Sequence, residues 1–114
     1  MSISQGEIRL VNLDPTVGDE IRKTRPAIVV SRDALGILAL RVVVPVIGWQ
    51  DRFQSCDWLV RIDADATNNL DKPSSADTFQ VRSTSTRRFV RRLGRLSDTD
   101  LKRVGDGLKI VFEM

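Results

Sequence analysis

Histidine is absent from the 114 residues, and that absence excludes more chemistry than any residue present. It removes the commonest general acid and base and every serine or cysteine triad built on an imidazole. Tyrosine is absent too, which leaves two Trp and four Phe as the aromatics. The single cysteine, Cys56, cannot form an internal disulfide, and the cytoplasm is the expected compartment. One cysteine, no histidine and no carboxylates at ligand spacing give no reason to expect a metal or any other cofactor. No apolar run reaches the ~18 to 20 residues that cross a membrane. The N-terminus lacks the cationic-then-apolar pattern of an export signal, so no membrane association is expected. Any catalysis must run on carboxylates, hydroxyls, Arg, Lys and backbone dipoles.

The composition is that of a single globular domain spanning residues 1–114, 41% hydrophobic and 29% charged. The net charge of +3 is unevenly spread. Arg82 to Arg103 carries eight basic and two acidic residues, while the rest carries ten basic and thirteen acidic. A basic C-terminal third suits a polyanionic or acidic partner, although short basic helices are as often simply solvated.

Gly6 to Leu13 alternates as a strand, with Ile8 and Leu10 on one face and Val11 and Leu13 on the other. Asp14-Pro15 stops it, since proline lacks an N–H and restricts the residue before it. Thr16 to Glu20 is loop chemistry. Arg25 precedes Pro26, which biases its backbone to an extended form, and Ala27 to Val30 is a short apolar strand. Val42-Val43-Val44 marks a central strand that Pro45 brings to an edge or bulge. Gly48 to Ser55 is a loop carrying Trp49 and Phe53, which either stack on bases or cap the end of a barrel. Asp57 to Asp63 alternates as a strand, and Ala64 to Ser75 is polar and reads as a loop. Thr78 to Arg82 reads as the last strand, with Phe79 and Val81 on one face.

Thr86 to Leu93 reads as a short amphipathic helix. Phe89, Val90 and Leu93 form its apolar stripe, Arg87, Arg88, Arg91 and Arg92 its wet face, and Gly94 ends it. Ser97 N-caps a final helix whose Leu101, Val104, Leu108 and Val111 or Phe112 face a sheet. Gly105 and Gly107 lower its propensity and allow a close approach by a neighbour. About five short strands and these helices predict a mainly β fold, a small bent barrel with a C-terminal α-helix.

The ordered series Gly6-Glu7, Asp14-Pro15, Gly18-Asp19-Glu20 and Arg25-Pro26-Ala27-Ile28-Val29-Val30 resembles the opening of the MazF/PemK family of toxin endoribonucleases. The resemblance resumes at Val42-Val43-Val44-Pro45, Gln80-Val81-Arg82-Ser83 and Gly94-Arg95-Leu96-Ser97-Asp98, and so covers nearly the whole chain. It implies an SH3-like barrel of the MazF/CcdB type that pairs as a homodimer, with single-stranded RNA in the dimer groove. The implied reaction is metal-independent cleavage by the RNA's own 2′-hydroxyl, leaving a 2′,3′-cyclic phosphate and stopping translation. The family's phosphate-binding arginine falls on Arg25, whose guanidinium fork suits phosphate oxygens. Arginine is not deprotonated in proteins, so its role is electrostatic. Glu20 is the implied base. The implied RNA path runs past Asp14, Lys23, Arg32, Gly48, Trp49, Gln80 and Ser83. Implied partners are a MazE-like antitoxin with an acidic tail, which the Arg87 to Arg92 stretch would meet, and operator DNA bound together with that antitoxin.

Two departures stand out. The family's Thr or Ser after the central strand, whose hydroxyl helps hold phosphate, aligns with Gly48. A backbone N–H near Gly48, or the hydroxyl of Ser83 or Thr84, would have to replace it; otherwise the chain is a weak nuclease. Ser83-Thr84-Ser85-Thr86 also stands where the family has Thr, an apolar residue, Asp and Lys. The alternatives are a catalytically silent relative that binds antitoxin and operator DNA, and a gyrase-poisoning toxin of the same fold. The gyrase-poisoning relatives lack the Arg-Pro loop pattern.

Overall fold

Alternation in the first strand divides the core in two. The computed structural model describes residues 2–114. In β1, Glu7–Asn12, Ile8 enters a cluster with Ile28, Val44, Val46, Val60, Ile62 and Val104. Val11 and the following Leu13 turn the other way, to Ala27, Val29, Val43 and Phe89. β2, Thr24–Val29, pairs antiparallel with β1, Ile8 opposite Ile28 and Val11 opposite Arg25. β3, Leu40–Gly48, pairs with β2 from Ala27–Pro45 to Val29–Val43. Its far half then pairs with β5, Ser74–Asp77, with Gly48 opposite Ser74. Its near half pairs with β6, Arg82–Ser85, with Val42 opposite Ser83. β4, Leu59–Ile62, borders β5, and β7, Phe89–Arg95, borders β1. One seven-stranded, strongly bent antiparallel sheet results, covered by α1, Asp98–Phe112. The fold is mainly β with one C-terminal helix, as expected.

Residues 86–93 are not a helix. Only Thr86–Arg88 make a 3₁₀ turn, with the Ser85 hydroxyl accepting from the Arg87 N–H, and Phe89 onward is β7. The expected stripe is absent: Phe89 is buried, Val90 is 56% exposed, and the ladder to β1 shifts register twice. The ladder to β1 decided the matter, because a short mixed run carries little conformational preference of its own. Gly94 does not end a helix but lies inside the strand. A Cβ there would sit 2.7 Å from the Asn68 carbonyl oxygen, and closer still to that of Thr67.

The strand expected over Thr78 to Arg82 is also displaced. Ser74–Asp77, whose first two residues close the stretch expected as loop, is a buried strand between β3 and β4. Small side chains let it fit there. Thr78–Gln80 is a 3₁₀ turn whose cap, Asp77, accepts the Phe79 N–H at 3.1 Å. Phe79 therefore points outward, 70% exposed. Burial raises the Asp77 pKa, against the lowering effect of N–H donation from Phe79 and Gln80.

The terminal helix is as read. Ser97 accepts the Asp100 N–H at 3.1 Å, Asp98 and Asp100 occupy the positive end, and Val104 is fully buried. Gly107 meets Thr78 and Val60 where a Cβ would be 2.9 Å from each, whereas Gly105 faces open space.

Candidate functional site

The long β1–β2 loop is held open at both ends by side chains from far along the chain. Its base closes through the Leu13 N–H donating to the Lys23 carbonyl at 2.9 Å, with Lys23 in the left-handed region at φ 71°. Arg82 Nη1 donates to the Leu13 carbonyl at 3.0 Å, and Arg88 Nη1 donates to the carbonyls of Asn12 and Asp14. On the other limb, Gln80 Oε1 accepts the Ile21 N–H at 2.6 Å, and its Nε2 donates to the Asp19 carbonyl at 2.9 Å. Between loop and sheet lies an open cleft of about 570 Å³, lined by Val17, Glu20, Ile21, Pro45, Phe79, Gln80 and Arg82.

Arg25 stands at the end of β2 beside this cleft. Ala27 lies directly opposite Pro45, so the two share a face, and Arg25, two residues along, shares it as well. Its side chain is exposed, and Nε donates to the Arg22 carbonyl at 3.2 Å. Among the described residues no carboxylate makes a salt bridge to it, so its fork is available to an anion. Glu20 is exposed at the cleft, with one carboxylate oxygen accepting the Val17 N–H at 2.7 Å.

The other expected residues divide. Asp14 and Lys23 lie in the same loop, Asp14 accepting the Thr16 hydroxyl at 3.1 Å. Gln80 lines the cleft, but both ends of its amide are committed to the loop backbone, which makes it a holder of the loop rather than a free reader of bases. Gly48 and Trp49 form another edge, where β3 leaves β2 for β5. There the Trp49 N–H donates to the Pro73 carbonyl at 3.0 Å. Phe53 is core, 8% exposed, and meets Trp49 edge-on at 5.8 Å. The Arg61 guanidinium covers the Trp49 ring at 5.2 Å.

Arg32 and Ser83 are not brought to Arg25. Arg32 follows the opposite end of β2. Ser83 pairs with Val42, towards the opposite end of β3 from Gly48, and Thr84 beside it is buried. Neither hydroxyl supplies what Gly48 lacks. Arg82 and Arg88 as loop anchors, and Arg61 as the Trp49 partner, emerge only from the structure. The only sequence signal for these was unpaired cations near loop ends, which does not say which loop they reach.

Two basic side chains flank a buried carboxylate at the start of β1. Glu7 accepts from Arg9 at 3.0 Å and pairs with Arg92 at 2.9 Å, and Arg9, only 7% exposed, also donates to the Ser2 carbonyl at 2.7 Å. Burial alone would raise the Glu7 pKa, but the Ser4 N–H and the two guanidiniums outweigh it and hold the carboxyl below its ordinary 4.5. No group of His, Cys, Asp and Glu able to hold a metal occurs among the described residues. None of their helices is long and apolar enough to cross a membrane.

Residues 4–112 match the model of the PemK-like, MazF-like toxin of type II toxin–antitoxin systems. The chain is 34% identical over 116 residues to the endoribonuclease MazF9 of Mycobacterium tuberculosis, covering 96% of each. Its fold superposes on crystalline MazF from Deinococcus radiodurans with a TM-score of 0.84 at 23% identity, covering 100% of this chain and 99% of that one. A mycobacterial endoribonuclease solved with its cognate antitoxin gives 0.78 at 12% identity, covering 99% and 97%.

Proposed function

The chain belongs to the PemK-like, MazF-like family of type II toxins and is an endoribonuclease of that family; we propose that it cuts single-stranded RNA with its own side chains, by attack of the 2′-hydroxyl on the adjacent phosphate. The observation that carries this reading is Arg25, an anion-free guanidinium at a strand end, on the sheet face shared by Pro45 in the cleft floor. In the proposed step the 2′-oxygen bonds to phosphorus and its proton passes to the Glu20 carboxylate. Charge gathers on the non-bridging oxygens, where the Arg25 fork stabilises it. The bond to the 5′-oxygen breaks, and that oxygen takes a proton from water at the open mouth of the cleft. The products are a 2′,3′-cyclic phosphate and a 5′-hydroxyl. Asp14 and Lys23 flank the strand on the loop side, and Trp49 on the far side offers a ring edge to a base.

The test is primer extension on a long, unstructured RNA in EDTA. Discrete cuts with cyclic-phosphate ends are expected. Intact RNA at high protein concentration would overturn the reading.

A homodimer is part of the proposal. Phe79, Trp58, Ile110 and Val111 line an apolar depression of about 200 Å³, next to exposed Phe112. Phe79 also lines the cleft, so pairing through this depression sets two clefts side by side in one groove. Changing Phe79 and Ile110 together to Asp buries charge in that contact. A monomer is expected by analytical ultracentrifugation, with the circular dichroism spectrum unchanged; a persisting dimer would place the interface elsewhere. A MazE-like antitoxin, and operator DNA bound together with it, complete the proposed partners.

A further inference from the structure

Carried two residues along, the register that sets Ala27 opposite Pro45 brings Arg25 level with Ile47. Ile47 lies opposite Ser75, and Ser75 opposite Arg61. These four form one row across β2, β3, β5 and β4, on one face of the sheet. Val46, Ala76 and Val60, each one residue off the row, enter the core cluster on the other face. Arg61 therefore shares the face of Arg25, three inter-strand steps of about 4.8 Å away.

The Arg61 side chain is held at two points. Its Nε donates to Asp63 Oδ1 at 3.0 Å, two residues along on the same face. Its guanidinium lies over the Trp49 ring at 5.2 Å. Trp49 is in turn braced edge-on, at 5.8 Å, by buried Phe53. Trp49 follows β3, so the arm of Arg61 reaches it by crossing β5. It crosses beside Ser75, a small residue that is fully buried. The Arg61 side chain is still 44% exposed, which leaves the side of the guanidinium away from Trp49 open.

We infer that Arg61 is a base-stacking residue of the RNA site, its guanidinium plane, backed by Trp49, receiving the base of a nucleotide that flanks the phosphate at Arg25. Unstacked bases lie on guanidinium planes as they do on aromatic rings. The carboxylate already on Nε offsets part of the charge and repels a phosphate, but leaves the plane untouched. This rests on the RNA-cleavage reading above.

The probe is a short oligoribonucleotide carrying a cut site mapped by primer extension, with 2′-fluoro groups throughout so that it has no nucleophile. Its affinity is measured by fluorescence anisotropy across a range of KCl concentrations. Arg61→Ala is expected to weaken binding about tenfold, the scale of one lost stacked base. Arg61→Lys keeps the charge without the plane and is expected to weaken it as much. The slope of log affinity against log salt should be the same in all three proteins. A tetrahydrofuran spacer in place of the stacked nucleotide should cost the wild type the same tenfold and cost Arg61→Ala nothing further. Full affinity in Arg61→Ala, alongside wild-type binding, overturns the Arg61 assignment and leaves RNA binding standing. A slope lower by about 0.7 in Arg61→Ala, with affinity kept in Arg61→Lys, makes Arg61 a phosphate ligand and overturns stacking. A spacer that weakens Arg61→Ala as much as the wild type at every position overturns it too. Wild-type protein that neither cuts nor binds RNA overturns both readings together.

Discussion

Arg25→Ala is expected to slow RNA cleavage by about 10²- to 10³-fold, the usual cost of removing one preorganised donor from a developing oxyanion. Nothing in the fold depends on this side chain. It is exposed, and its single recorded hydrogen bond, Nε to the Arg22 carbonyl at 3.2 Å, is local. The unfolding midpoint should therefore stay where it is while the rate falls. Affinity for uncut RNA should fall far less, because one phosphate contact among several is lost on binding whereas the transition state loses its main cation. Arg25→Lys should recover part of the rate, as it keeps the charge and gives up the two-pronged geometry. Single-turnover cleavage of a labelled RNA, with denaturant unfolding of the same preparations, measures both quantities. A cleavage rate within tenfold of wild type would remove Arg25 from the reaction.

Glu7→Gln should lower stability by about 3 kcal/mol at neutral pH, because removing one partner of a buried ion pair leaves the other charge unpaired. Arg9 is the charge left behind. It would keep the Ser2 carbonyl and an amide oxygen but lose its carboxylate, while exposed Arg92 loses less. The pH dependence follows from the direction of the shift. The Glu7 pKa lies lower in the folded chain than its ordinary 4.5, so the stability it contributes is complete above 4.5 and is lost as the pH falls through the folded value. The gap between wild type and Glu7→Gln should therefore be widest near neutrality and close as the solution becomes acidic. Urea unfolding between pH 3 and 7 reads it directly. A gap of the same size at both ends would mean that the glutamine disturbs packing rather than charge.

Much of the first half of the chain could be read without coordinates. Asp14-Pro15 and Arg25-Pro26 bracket the long loop because proline restricts its neighbours locally, and locality is what a sequence records. The same holds for Ser97 as the cap of α1, for the opposite faces of Ile8 and Val11, and for the Val42–Val44 centre of β3. Arg25 stands at a strand end beside that loop, which by itself suits a solvated side chain; the motif resemblance is what singled it out as the candidate cation. Gln80 was legible as a site residue, but not as one whose whole amide is spent on the backbone of Asp19 and Ile21. Arg32 and Ser83 looked eligible by sequence order alone, and the ladder registers put them at other strand ends.

The sequence by itself determined the strand–loop–strand opening, the capped terminal helix, the exclusion of imidazole chemistry and the position of the candidate arginine, all set by a few neighbouring residues. Tertiary structure alone decided that Phe89–Arg95 is a strand, that Ser74–Asp77 is a buried strand, and that the Gln80 amide holds the β1–β2 loop. Each of those depends on a partner distant in the chain: the β1 ladder, the β3 and β4 flanks, or the loop backbone at Asp19 and Ile21. Backbone pairing and close packing override weak local preference, and the identity of the partner is not written in the residues that yield to it.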